Sequence, residues 1–244
     1  MNGSSMGYPG QRGMYSPAFE HDACGIGMIV DIAGRRSHEI VTQAMSILKN
    51  LEHRGGAGAE PDTGDGAGIL TQLPHTLLER ECRLGGIVLP APGRYGVGML
   101  FLSRDESRRM AAEAAFEAIV REQGQRFLGW RSVPVNASTL GKTSRACMPV
   151  IRQAFIEKSA DLDGEDAFER KLYLIRRIAE KRLRYAPDAR PGDFYAASLS
   201  CRTIVYKGML LSRQVAQLYL DLNDLSYDCL LYTSPSPRDS TSSR

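Results

Sequence analysis

Apolar and polar positions divide the chain into short segments of two periods. The run GIGMIVDI (25–32) is almost continuously apolar with a β-branched end, which predicts a buried strand. Gly34 then turns the chain, and Ser37 stands at an N-cap position with Glu39 in the first turn. Ile40, Val41, Ala44, Ile47, Leu48 and Leu51 keep helical spacing until Gly55 and Gly56 end the run. Further strands are predicted over 69–74, 95–102, 127–135 and 149–158, and helices over 75–84, 105–123 and 166–183. The last helix turns Phe168, Leu172, Ile175 and Ile178 inward and a basic face outward. FYAASLS (194–200) and TIVYKGML (203–210) read as two strands paired with each other. Residues 1–20 and 225–244 show neither period; the first are expected to be flexible and the second disordered.

Composition narrows this picture only a little. With 43% hydrophobic and 24% charged residues in 244, the chain is an ordinary globular one, not a collagen-like, coiled-coil or wholly disordered one. Thirty-one basic against 28 acidic residues leave a formal charge of +3, too balanced to argue for a nucleic-acid or membrane partner. No apolar run approaches the roughly 18 residues needed to span a bilayer, and the N-terminus lacks a secretory apolar region. Five cysteines at 24, 82, 147, 201 and 229 are odd in number and widely spaced, with no CxxC pair, so neither a disulfide framework nor a metal site is expected. A cytoplasmic location follows as the simplest expectation.

Three features carry candidate chemistry. Cys24 heads the first strand, where a thiol is either a small core residue or a nucleophile. A nucleophile needs a base. His21 lies three residues upstream; alternatively, removal of residues 1–23 would give Cys24 a free α-amine, whose pKa of about 7.7–8.0 is matched to a thiol's of about 8.5. The second feature is His53-Arg54-Gly55-Gly56 at the end of the first helix. There Arg54 either faces the helix dipole or is delivered beside the strand as a carboxylate fork or a brace for the nucleophile, with Gly55 allowing the turn. The third is the glycine-rich stretch 55–68, ending TGDGAG, which demands positive φ or close backbone approach. It lacks the GK[ST] of a phosphate loop and the ligand alternation of a calcium loop, and GIG and GVG each miss the third glycine of a dinucleotide fingerprint.

Together these residues carry a resemblance. HDACGIGMIVDI, LEHRGGAGAEPDTGDGAGIL, YGVGMLFL, IRRIAEKRL and FYAASLSCRTIVYKGML are similar to the class II glutamine amidotransferase domain that begins glutamate synthase large subunits. The likeness covers about 20–224 in register. The resemblance implies an α+β fold, the four-layer αββα sandwich of the N-terminal-nucleophile hydrolases, incomplete at the C-terminus. It divides the chain into a propeptide (1–23), a partial amidotransferase domain (24–224) and a tail (225–244). It implies that Cys24, freed by cleavage, attacks the side-chain amide of L-glutamine to give a thioester and ammonia, with Arg54 and Gly55 supporting the nucleophile or substrate. Ammonia would pass to synthase domains acting on 2-oxoglutarate. This stretch would hold no cofactor, whereas FMN and an iron–sulfur cluster are implied for a full-length family protein. Its expected partners are those downstream domains and a small reductase subunit.

The sequence also departs from the family. After about 224 the register is lost, and the family's Arg- and Thr-bearing strand and His-Asn-Gly-Glu run, which supply the substrate clamp and oxyanion donors, are not found. The segment YDCLLYTSPSPRDS resembles translated adapter read-through, so the expectation is a truncated, poorly active product. Two other readings stay open: a non-catalytic binding or regulatory module that keeps the fold, and a different class II amidotransferase.

Overall fold

A computed structural model describes residues 25–52, 60–185, 187, 189–190, 192–229 and 231–233. Two four-stranded antiparallel sheets organise the molecule. The first has the order β1 (Met28–Val30), β8 (Leu231–Thr233), β2 (Ala67–Gln72), β7 (Thr203–Gly208). The second has the order β4 (Arg126–Ser132), β5 (Val150–Glu157), β3 (Tyr95–Leu102), β6 (Phe194–Ser200). This is the α+β arrangement expected.

Side-chain alternation decides how the second sheet is covered. Leu100, Leu102, Ala154, Ile156, Phe194 and Ala196 leave one face and pack on α3 (Glu106–Glu122) and α5 (Gly164–Ala179), through Phe116, Ile119, Phe168, Leu172 and Ile175. Val97, Met99, Phe155 and Ala197 leave the other face. They join a larger core with Ile69, Ile204 and Tyr206 of the first sheet, α1 (His38–Asn50) and α2 (His75–Leu84). Ile178 is only half-buried, and Ala179 takes the fully buried position at the end of the α5 stripe. Among the described residues no helix is long and apolar enough to cross a membrane.

Ser37 occupies the N-cap position of α1, but its side chain makes no cap bond. Its backbone instead exchanges hydrogen bonds with Cys229, N–H to O in both directions at 3.0 and 3.2 Å. Asp105 does cap α3, accepting from the Arg108 amide at 3.0 Å.

Two expectations are corrected. β6 and β7 do not pair with each other: β6 pairs with β3 and β7 with β2. The burial of β6 along nearly its whole length and of Ile204, Val205 and Tyr206 in β7 is the reason, since strands covered on both sides read as continuous apolar runs and not as a half-solvated hairpin. The corner between them is held by Ser200, whose hydroxyl oxygen accepts from the Arg202 and Thr203 amides at 2.9 and 3.1 Å, and by Glu169 beneath it. The second correction concerns the tail. Disorder was expected from 225, yet Tyr227 and Cys229 are fully buried and β8 lies between β1 and β2. Strand pairing is made by main-chain groups, so a segment anchored by Tyr227 and Cys229 can fill that slot. Residues 234–244 lie outside the described residues.

Candidate functional site

Cys24, Arg54 and Gly55, like His21 and the 1–23 segment, lie outside the described residues. What the structure describes is the scaffold on either side of them. Gly25–Gly27 lead into β1, and α1 ends at Asn50 with Leu51 as its cap, one turn earlier than the glycines at 55 and 56 predicted. A Cβ on Gly27 would lie 2.2 Å from Ile47 Cγ2 and 3.7 Å from Leu51 Cδ1. The start of the first strand and the end of the first helix are therefore in contact through a bare glycine. The segments that flank Cys24 and Arg54 in the sequence are thus neighbours in space.

The downstream side of the glycine-rich stretch is pinned by charge and by amide groups. Arg213 reaches both Glu52 and Asp62, bridging the two ends of the segment 53–59. Gln214, buried at the start of α6 (Gln214–Leu218), donates to the Asp62 and Thr139 carbonyls, each at 2.9 Å. Glu60 accepts from the Thr143 hydroxyl at 2.6 Å and from the Thr143 amide at 3.2 Å, in the first turn of α4 (Lys142–Cys147). Those bonds, the hydroxyl's first, hold the Glu60 carboxyl below the usual carboxylate range.

Both reasons for glycine in this stretch are realised. Gly66 has φ +139°. A Cβ on Gly64 would lie 2.3 Å from the Leu210 carbonyl oxygen, and one on Gly68 would lie 2.5 Å from Lys207 Cβ and 2.7 Å from the Tyr206 carbonyl oxygen. The loop is thus laid flat against the end of β7. Beside it opens a cavity of about 460 Å³, bounded by Gly66–Gly68, Lys207, Phe101, Tyr195 and Cys147 among others.

Between the sheets lies a polar cluster that periodicity gave no sign of. Arg131 donates to both oxygens of Asp221, at 2.9 and 2.7 Å, and to Gln153 Oε1 at 2.9 Å. Tyr206 donates to Asp221 at 3.1 Å, and Tyr227 shares a 2.6 Å hydrogen bond with Thr71. Burial alone would lower the Arg131 guanidinium, but the Asp221 carboxylate more than offsets it, and Arg131 stays charged. Its partner arrives on a short 3₁₀ turn, Leu220–Asn223, 90 residues away in sequence. A lone Asp in such a turn carries no local signal of this role.

The remaining thiols differ sharply. Burial pushes Cys82 up to about 12 and Cys201 higher still, while Cys147 is exposed on the cavity wall. An alkylation experiment on Cys24 must therefore also account for Cys147.

Comparison with known proteins places this scaffold. The profile of the glutamine amidotransferases class-II matches residues 24–238, starting at Cys24 itself and running beyond the boundary expected at 224. The chain is 47% identical over 220 residues to the glutamate synthase [NADPH] large chain of Bacillus subtilis, covering 90% of this chain and 14% of that protein. It is 41% identical over 208 residues to ferredoxin-dependent glutamate synthase 2 of Synechocystis, covering 85% of this chain and 13% of that one. Against the glutamate synthase [NADH] of Schizosaccharomyces pombe it is 38% identical over 224 residues, covering 90% and 10%. The chain thus spans about one-seventh or less of the length of these relatives. Because the matched span takes in both sheets and every helix that covers them, the chain belongs to the class-II glutamine amidotransferases.

Proposed function

We propose that this domain hydrolyses L-glutamine with Cys24 as the nucleophile, as the ammonia-producing part of a glutamate synthase. The observation that carries the reading is that the family match begins at Cys24. Cleavage before this residue turns its backbone nitrogen into an α-amine, a base matched to the thiol. The thiolate adds to the side-chain carbonyl of glutamine, the C–N bond breaks, and ammonia leaves with the proton returned by the amine. Water then splits the γ-glutamyl thioester, releasing glutamate and restoring the thiol. The contact of Gly27 with Ile47 and Leu51 supports Arg54 as a residue delivered from the helix side toward the nucleophile's strand.

Ammonia is passed, in this reading, to downstream synthase domains that act on 2-oxoglutarate with FMN and an iron–sulfur cluster, with a reductase subunit as a further partner. Among the described residues no group of three His, Cys, Asp or Glu side chains is placed to hold a metal ion. The His-Asn-Gly-Glu run that carries the family's oxyanion donors is not in the sequence. Losing one such donor typically costs about 10²–10³ in rate, so the 244-residue chain turns glutamine over slowly. That same feature favours the second reading, a binding module that keeps the fold.

The test is alkylation by a glutamine-mimicking diazo-ketone, followed by peptide mass mapping, on the 244-residue chain and on a variant that begins at Cys24. Modification confined to Cys24 and prevented by L-glutamine supports the nucleophile. Equal labelling of Cys24 and Cys147, unaffected by glutamine, leaves the binding module as the reading.

A further inference from the structure

We propose that the cavity beside the TGDGAG loop is a binding site for a small organic monoanion: a carboxylate head at the mouth and an apolar body inside. The inference goes beyond glutamine hydrolysis and stands whether or not Cys24 is a nucleophile.

Size and lining come first. About 460 Å³ is within the range of small-molecule sites. Phe101 and Ile151 supply apolar wall from the second sheet, Leu140 and Met148 from the segment that joins β4 to β5, and Leu218 and Tyr219 from the end of α6. Such a wall suits a ring or branched chain.

The charge at the cavity is uneven. Arg184 and Lys207 lie 5.1 and 5.0 Å from the centroid of the same ring, Tyr195. Neither forms an ion pair among the described residues. Two cations attracted to one ring repel each other, and a cation–π contact at an exposed site returns little against that repulsion. An anion at the mouth relieves that repulsion and gains charge-assisted hydrogen bonds. Asp65 is the carboxylate among the described lining residues. Two cations against one carboxylate leave a single positive charge to be met, so a monoanion fits and a dianion overshoots.

Two further features show that the backbone holds this arrangement. Arg184 ends a π-helical turn, Glu180–Arg184, in which the Tyr185 amide donates to the Glu180 carbonyl five residues back at 3.2 Å. Such turns are rare and recur at functional sites, because the wider turn re-aims the side chains that follow. Glu180 is buried and gripped by Arg176 and Arg177, which fixes the turn from below. On the opposite side, Gly68 is needed for its strand to lie against Lys207. The glycine-rich motif, not used by the glutaminase chemistry, thereby forms one lip of the cavity.

The experiment uses the 244-residue chain with 4-phenylbutyrate as the probe and its neutral analogue 4-phenylbutan-1-ol as control, by titration calorimetry. The expected result is saturable binding of the acid. Lys207→Met and Arg184→Gln should each weaken it on the order of tenfold, as for one lost charge-assisted contact, while binding of the alcohol barely moves. Cys147 gives an independent readout that a folding defect would not mimic. Its alkylation by iodoacetate relative to iodoacetamide should fall several-fold in both variants, and 4-phenylbutyrate should protect it in the parent chain. Overturning results are an iodoacetate-to-iodoacetamide ratio equal in parent and variants, or equal affinity for acid and alcohol. Protection of Cys147 by L-glutamine or L-glutamate alone would also overturn it, making the cavity part of the glutaminase site.

Discussion

Removing Asp221 should cost this fold about 3 kcal/mol, and most of that cost should be recovered when Arg131 is removed with it. The Arg131 and Asp221 side chains are 9% and 2% exposed, so neither charge is solvated. Asp221→Leu deletes two guanidinium hydrogen bonds and the acceptor of Tyr206, leaving Gln153 and the more distant Glu81, at 3.5 Å, to face a buried cation. Breaking a buried pair typically costs about 3–5 kcal/mol, and the residual Gln153 and Glu81 contacts place the expectation near the lower end, about 3 kcal/mol. That is a large share of the roughly 5–15 kcal/mol that holds a domain together. Arg131→Met alone should cost a similar amount, because Asp221 then lacks its cation. The double variant Arg131→Met/Asp221→Leu should recover most of the loss, since apolar residues of similar volume often replace a buried pair at little cost. Urea unfolding of the four proteins gives the coupling energy. Single costs below about 1 kcal/mol, or strict additivity in the double variant, would refute the view that the pair is a desolvated unit.

Other expectations follow from single contacts. Asp224 is held well below the usual carboxylate range by hydrogen bonds from Arg80 and then from Ser226. Its contribution is present above the unfolded value of about 3.9 and is lost as pH falls through the depressed folded value. Asp224→Asn should therefore lower the urea midpoint at pH 6, with the gap to the parent closing as the pH drops below 4; a pH-independent gap would disprove the linkage. Gly27→Ala should destabilise by about 1–3 kcal/mol through its 2.2 Å clash with Ile47 Cγ2, and Ile47→Ala in the same chain should return part of it. Additive thermal shifts would show that strand and helix do not meet there. Arg54→Lys should fail to restore glutaminase activity if a planar fork is needed; activity close to the parent's would reduce Arg54 to a charge at a helix end.

Local pattern sufficed wherever one element's own side chains decide its state. The helix at 75–84 and the strands at 95–102 and 194–200 appear with the predicted limits. Phe168, Leu172 and Ile175 face the core as their 3.6-residue spacing requires. The need for glycines at 64, 66 and 68 was also legible, because backbone sterics are a local property. The sequence alone likewise carried the class II amidotransferase signature, which the match over 24–238 bears out.

Tertiary structure decided what depends on partners far along the chain. That β6 and β7 enter different sheets is set by what covers both of their faces, which an apolar run cannot report. Whether 225–233 joins the fold turned on a slot between β1 and β2 that main-chain bonds can fill, not on the composition of the segment. Arg131 and Asp221 look like surface residues in the sequence and become a buried pair because a 3₁₀ turn carries the acid to β4. The cavity has the same origin. Tyr195, Arg184 and Lys207 come from a strand, a π turn and a second strand, and periodicity within any one of them says nothing of a site that exists only where they converge.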